Sequence, residues 1–337
     1  MTALGRIPAV RGVYSEAETK VQNRPIPVSW IVILIALRLE PSVSVAQSYR
    51  YRVVDVFTDQ PLEGNALAVF PEASGINDAT MQRIAKELNL SETTFVSPSE
   101  RSDCAVGVRI FTPTRELPFA GHPTIGTAFV LMDEGLVDSR AGKFHLEERV
   151  GPVLIRIENG ERPLIWLRTP PITEGKTFEG RTCAQVLGLD TDDLLPIAPQ
   201  MLSAGNPTLF IALKDRDAVD QAWLDSHGSS VLREGKTEQM CVFVFSPTAD
   251  GAYSRMFAPD YGIPEDPATG SSTGPLALFM MRHDLVSAAD DTRFVSEQGC
   301  KMGRRSILHV HIFGERGAEG IDVGGHVTPI ADATMTL

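Results

Sequence analysis

The feature that most limits how this chain can fold is an internal repetition. The segments RIFTP (109–113) and ELPFAGHPT (116–124), which lead into the apolar stretch AFVLM, return as RMFAP (255–259) and EDPATGSST (265–273), leading into LALFMM. Within the second part of each segment Glu, Pro, Gly and Thr align without a gap. The match extends backwards: Gly64-Asn65 before ALAVF answers Gly205-Asn206 before PTLFIAL, and TTFV answers CVFVF. Self-similarity in a common order predicts a duplicated architecture. Each half is β-rich with one main helix after the glycine turn, an α+β fold.

Local patterns fit that outline. YRVVDVF from Tyr51 has strand character, Pro61 to Gly64 makes a turn, and ALAVF reads as the return strand of a hairpin. Asn77 or Asp78 can cap a helix whose apolar residues Met81, Ile84, Ala85 and Leu88 form one stripe, and Asn89 is its expected stop. The β-branched run SETTFV follows, so Glu92 falls where helix hands over to strand, a position expected at a sheet end. In both repeats the glycine stands between a Pro-containing loop and a helix, where free backbone amides can hold an anion. A lone glycine would merely turn the chain. Two such helix starts facing each other would form a carboxylate pocket.

The 337 residues suit two domains of roughly 150 residues each, and 43% hydrophobic with 22% charged residues is ordinary for a globular chain. A net charge of −12 argues against a nucleic-acid partner, because phosphate binding needs clustered Lys and Arg. Cys104, Cys183, Cys241 and Cys300 show no CxxC spacing, which points to reduced thiols and a cytoplasmic setting. The run VSWIVILIALRL (28–39), preceded by Arg6, Arg11, Lys20 and Arg24 and followed by SVSVA, has the outline of a signal peptide. It is shorter than the ~20 residues that span a bilayer, so no membrane partner is expected. The lead before it is long and holds Glu16 and Glu18. Residues 1–48 are therefore read as an unstructured or mis-assigned extension outside the fold. No GxGxxG or GxxxxGK[ST] occurs, so no organic cofactor is expected. His309 and His311 alternate in LHVHIF on one strand face, but two histidines without a third ligand do not make a metal site, and a solvated sheet face is the expectation.

The motifs VDVFTDQPLEGNALAVF, NLSETTFV, RELPFAGHPTIGTA, EDPATGSS and EQGCKMGRRS, in this order, resemble the PhzF-type phenazine-biosynthesis family from about Tyr51 to the C-terminus. The resemblance implies the diaminopimelate-epimerase-like fold: two similar halves, each a β-sheet wrapped around a central helix, with the active site in the cleft between them. The expected halves are 49–170 and 171–328, with 329–337 a C-terminal strand returning to the first. It further implies that Glu92 takes and returns a proton, that His122, Asp266 and Ser271 line the same cleft with Gly121 and Gly270, and that the protein is a homodimer. Arg305 stands where the family usually has proline.

The chemistry is consistent with the residue types. A buried Glu raised toward working pH can move a proton between two carbons. His122 can polarise a carbonyl or donate to a carboxylate. Asp266 before Pro267 would alone be read as a turn residue, and Ser271 at a helix start can cap or donate to a ligand. Epimerases of the implied fold use two opposed thiols, whereas this chain has His122 and Ser271 after the paired glycines. The expectation is a cofactor-independent isomerase that shifts a proton on a small carboxylated metabolite. The alternatives are an epimerase or lyase using the same carboxylate, or a non-catalytic small-molecule-binding protein.

Overall fold

A computed structural model describes residues 47–337 apart from Gly235, so the expectation for the extension 1–48 lies, up to residue 46, outside the described residues. The first elements are β1 (Ser48–Val56), β2 (Asn65–Phe70), α1 (Asp78–Leu88), β3 (Glu92–Ser97), β4 (Val106–Phe111), β5 (Glu116–Leu117), α2 (Gly121–Asp133), β6 (Lys143–Glu148), β7 (Gly151–Glu158) and β8 (Leu164–Arg168). Then come β9 (Thr173–Thr177), α3 (Gly180–Leu187), β10 (Gln200–Ser203), β11 (Pro207–Ala212), α4 (Arg216–Gln221), α5 (Ser226–Leu232), β12 (Cys241–Thr248) and β13 (Gly251–Ala258). The last are β14 (Ile263–Asp266), α6 (Gly270–Arg282), β15 (Thr292–Gln298), β16 (Ser306–Phe313), β17 (Gly320–Gly325) and β18 (Val327–Thr336).

The strands form one mixed sheet with few helices. β1–β2 is antiparallel, β2–β3 parallel, β3–β4 antiparallel, β4–β6 parallel, and β6, β7 and β8 follow antiparallel. The same senses recur along β10, β11, β12, β13, β15, β16 and β17. β18 adds to β1 and β9 adds to β10, and an antiparallel β8–β17 pairing joins the two runs. Parallel neighbours need long crossovers, and α1, α2, α4, α5 and α6 lie in those connections, whereas α3 lies between the antiparallel strands β9 and β10. The residues that repeat in sequence make the same bond twice: Arg109 grips Glu116 through bonds of 2.8 and 2.9 Å, and Arg255 grips Glu265 through two of 2.8 Å.

α2 and α6 are buried almost all round, as their weakly amphipathic sequences require. Ile125, Ala128, Val130 and Leu131 of α2 pack with Val54, Val56, Leu67 and Ile110. Leu276, Phe279 and Met280 of α6 pack with Phe210, Phe243 and Phe245. The other sheet face is covered by α1, whose Met81, Ile84 and Ala85 meet Phe70, Phe95 and Phe111, and by α3 to α5. Alternate residues of β12 serve the two faces, Phe243 and Phe245 one, Val242 and Val244 the other. Such double burial explains why this strand is a continuous apolar run. Asn77 caps α1 by accepting from the Thr80 amide, and Asn89 ends it in the left-handed region at φ 51°.

The face carrying His309 and His311 departs from expectation. His311 is buried, its Nε2 2.6 Å from Asp291 Oδ1 and its ring against Phe313 and Trp166. The face is closed by edge-on and tilted aromatics with arginines over them, which a sequence pattern of alternating polar residues does not reveal.

One core position carries its own titration. The matched registers of β4–β6 and β13–β15 make Glu148 the counterpart of Gln298. Glu148 is buried, with Oε1 accepting from the Thr124 hydroxyl at 2.5 Å and Oε2 without a partner, and burial pushes its carboxyl up to about 8. A carboxyl raised on folding makes the native state hold its proton longer than the unfolded chain, so stability falls as pH rises from the ordinary carboxylate range toward 8. Glu148→Gln, which installs the residue used at the matching position, should remove that slope. Between pH 5.5 and 8 the native protein should lose on the order of 2 kcal/mol more than the variant in urea denaturation. Equal losses would contradict this account.

Candidate active site

Four elements deliver side chains to one place. Glu92 is the first residue of β3, in register with Leu67 of the parallel strand β2, which puts it beside Asn65 at the start of that strand. Asp266 ends β14, held against Met256. His122 and Ser271 are the second residues of α2 and α6. All four are buried and line one cavity of about 50 Å³ together with Gly121, Gly270, Thr112, Asn206, Cys241 and Tyr261. More open grooves elsewhere, up to about 600 Å³, gather no comparable set of buried acids, imidazole and helix starts.

The two helix starts touch through backbone. A Cβ added at Gly121 would lie 2.6 Å from Gly270 Cα and the Ser271 nitrogen, and one at Gly270 would lie 3.1 Å from Gly121 Cα. Only glycine permits this approach, and the clashing atoms are backbone that cannot swing away. Neither helix has a side-chain cap. Two positive helix ends with open amides therefore converge on the cavity, an arrangement that favours an anion. The cap expected of Ser271 is corrected here. Thr269 occupies that position, and Ser271 is the second residue of the helix, inside its first turn, with no cap bond made by either.

A hydrogen-bond network sets the side chains. Asn65 Nδ2 faces Asp266 Oδ1 at 2.8 Å, the Ala268 carbonyl at 3.0 Å and His122 Nδ1 at 3.2 Å. The first two are acceptors and take the two protons of the Asn65 amide, so the longer contact to His122 Nδ1 does not by itself fix which ring nitrogen carries the proton. Nε2 is 3.3 Å from Glu92 Oε2, yet the two are not aligned for a hydrogen bond and neither has another partner. The Thr269 hydroxyl donates to Asp266 Oδ2 at 2.5 Å, while Gln298 donates to the Asp266 carbonyl and accepts from the Thr269 amide.

Burial dominates the electrostatics. It lowers His122 to about 3, keeping the imidazole neutral. It raises Glu92 well above the ordinary carboxylate range, and the neighbouring charge of Asp266 adds to the rise. It raises Asp266 to about 6 against the bonds from Thr269 and Asn65. Groups whose ionisation is shifted this way by burial and by one another are suited to proton transfer.

The structure thus brings together every residue singled out from the sequence, and adds Asn65, Cys241, Tyr261, Thr269 and Gln298. Asn65 had a signal, the Gly-Asn pair before a strand in both repeats. Cys241 had one in the TTFV and CVFVF match, for the registers Leu67 with Glu92 and Thr208 with Cys241 make Cys241 the counterpart of Glu92.

A sequence profile of the phenazine biosynthesis-like (PhzC-PhzF) family matches residues 54–333, and the chain belongs to that family. It is an enzyme of the isomerase class. It is 33% identical to trans-2,3-dihydro-3-hydroxyanthranilate isomerase of Pseudomonas fluorescens over 292 residues, covering 86% of this chain and 100% of the relative. A predicted epimerase from Pseudomonas aeruginosa superposes with a TM-score of 0.72 at 32% identity, covering 85% and 99% of the two chains. A PhzF-family protein from Bacillus anthracis superposes with a TM-score of 0.77 at 24% identity, covering 86% and 100%.

The glycine contact gives a direct test. Gly121→Ala should destabilise the protein by on the order of 3 kcal/mol, since the new methyl overpacks backbone. Gly180→Ala, whose methyl would meet nothing closer than 3.5 Å, should be nearly neutral. Denaturant titration of both variants checks this, and equal stabilities would show that the helix ends part readily.

Proposed function

We propose that this protein is a cofactor-independent isomerase that moves a proton between carbons of a small ring carboxylate, with Glu92 as the single acid/base group. The observation that carries the reading is Glu92 itself: a buried carboxyl with one oxygen unpartnered, in a cavity between two uncapped helix starts. The substrate named for the Pseudomonas fluorescens relative, a dihydro-hydroxyanthranilate, is of this class. The two repeats, 49–170 with 329–337 and 171–328, act in this reading as halves that meet around the substrate.

Glu92, held neutral by burial, donates its proton to one unsaturated ring carbon. The carboxylate so formed lies 3.3 Å from Nε2 of neutral His122, and in the Nε2–H tautomer that the mechanism uses, the imidazole steadies the charge. It then removes a proton from a second carbon, the double bond shifts, and Glu92 is again an acid. No proton is gained or lost. The amides near Gly121 and Gly270 hold the substrate anion and charge that develops on it, while Asp266 and the Ser271 hydroxyl orient the ring.

Epimerisation, suggested by the name of one structural relative, would need a second base on the opposite face. The counterpart of Glu92 is Cys241, whose thiol burial pushes up, with Asp266 and Asp260 adding to the rise. A thiol kept protonated is a poor base. One-base transfer fits better.

Glu92→Gln keeps the shape but cannot pass a proton, so turnover of trans-2,3-dihydro-3-hydroxyanthranilate, and carbon-bound exchange in deuterated water, should fall by about two to four orders of magnitude. Ligand affinity should change little. A variant that still exchanges at the native rate would remove Glu92 from the role, and a native protein that binds the compound without exchange would leave only a binding function.

A further inference from the structure

A cation that the proposed mechanism does not use stands against two of the residues that line the cavity, Thr112 and Tyr261. Arg115 is exposed on the turn between β4 and β5, and its backbone is fixed by Thr112, which lines the cavity: the Thr112 hydroxyl accepts from the Arg115 amide at 3.0 Å, and the Thr112 amide donates to the Arg115 carbonyl at 2.8 Å. The guanidinium lies 4.4 Å over the ring of Tyr261, another lining residue, and donates to Gln239 Oε1 at 2.6 Å. Tyr261 and Gln239 both come from the second repeat.

No carboxylate neutralises this arginine. The adjacent Glu116 is committed to Arg109 and Arg149. Asp260, beside Tyr261, is committed to Arg233 and the Met240 amide. Among the described residues Arg115 makes no ion pair, although Glu92 and Asp266 line the neighbouring cavity. Its charge reaches the cavity wall: burial raises the Tyr261 hydroxyl to about 12 and raises the Cys241 thiol, and Arg115 opposes both shifts.

On the proposed isomerase reading, we propose that Arg115 is the substrate-capture residue, an unneutralised guanidinium at the mouth that draws in a small ring carboxylate and discriminates it from its uncharged analogues. A chain of net charge −12 repels such an anion. A local cation offsets that repulsion at short range, where salt has not yet screened it. The planar guanidinium stacks on Tyr261 while waiting and can lift from it to meet a carboxylate in the plane of its N–H groups. Arg115 is placed at entry, not at the reacting carbons, so it governs affinity and association and leaves the proton transfer to Glu92.

The test measures binding of anthranilate, a stable ring carboxylate, and of its methyl ester to the native protein, Arg115→Gln and Arg115→Lys, at low and high salt. Gln removes the charge while keeping a polar N–H donor on a shorter side chain, and the ester serves as the control for effects other than charge. Arg115→Gln should weaken anthranilate binding about tenfold at low salt and flatten its salt dependence. The ester should bind the native protein and this variant alike, and Arg115→Lys, which keeps the charge but not the planar fork, should weaken acid binding less than Arg115→Gln does and still favour the acid over the ester. If Arg115→Gln weakens acid and ester equally, the arginine only ties the two repeats together and the proposal fails. Native-like binding of the acid by Arg115→Gln also overturns it, while leaving the Glu92 reading intact. A native protein that binds neither compound contradicts the ring-carboxylate substrate class and the capture role together.

Discussion

The backbone contact between Gly121 and Gly270 is the constraint on which the rest of the site depends. It fixes the separation of two buried helices that otherwise belong to different clusters of side chains. Because each helix start also carries the next functional residue, His122 or Ser271, the spacing of those side chains follows from the spacing of the glycines. Their surroundings are set by the same point. Asp266 precedes Gly270 by one turn of loop, and Asn65 binds Asp266 and Ala268 in that loop, so the second β-strand is tied to the second helix start across 201 residues of chain.

The contact is expensive in a way that explains the acids around it. Two uncapped helix starts placed together concentrate positive potential, and a protein interior with that potential and no anion would be poorly balanced. Glu92 and Asp266 are the nearest carboxyls, yet burial raises both. The resting site therefore keeps Glu92 neutral, while Asp266, raised only to about 6 and bonded by Asn65 and Thr269, carries the negative charge beside the two helix starts. Arg115, by contrast, is a cation left without a protein carboxylate.

How much of this was legible in the sequence follows from the kind of interaction. The α1 helix, its Asn77 cap and its Asn89 stop were readable because capping depends on neighbours within a few residues. The repeated Arg and Glu were readable as a pattern, but that Arg109 grips Glu116 as Arg255 grips Glu265 became visible only with the strand pairing. The buried state of His311 was not legible: beyond Phe313 on its own strand, its cover comes from Asp291 in a turn and Trp166 on β8, and period-two alternation reports the face, not what stands over it. Arg115 was invisible for the same reason. Nothing in the string RELPF distinguishes an arginine paired to its neighbouring Glu116 from one that leaves that glutamate to Arg109 and Arg149 and reaches instead for Tyr261 and Gln239.

Duplication supplies the backbone symmetry, and the chemistry lies in where the side chains break it. The equivalent positions hold Glu92 and Cys241, His122 and Ser271, Asp266 and Leu117, whereas Asn65 and Asn206 or Gly121 and Gly270 remain alike. The retained residues are those that bend or brace the chain. The diverged ones are those able to gain, lose or hold a proton, and at each such position the stronger acid or base stands on one side only. A symmetric pair of bases would suit a substrate whose proton leaves one face and returns to the other. An asymmetric set, with one carboxyl facing a thiol that burial keeps protonated, suits a substrate whose proton leaves and returns on the same side. The fold offers both options from one scaffold, and the choice between them rests on single side chains at the starts of two equivalent strands.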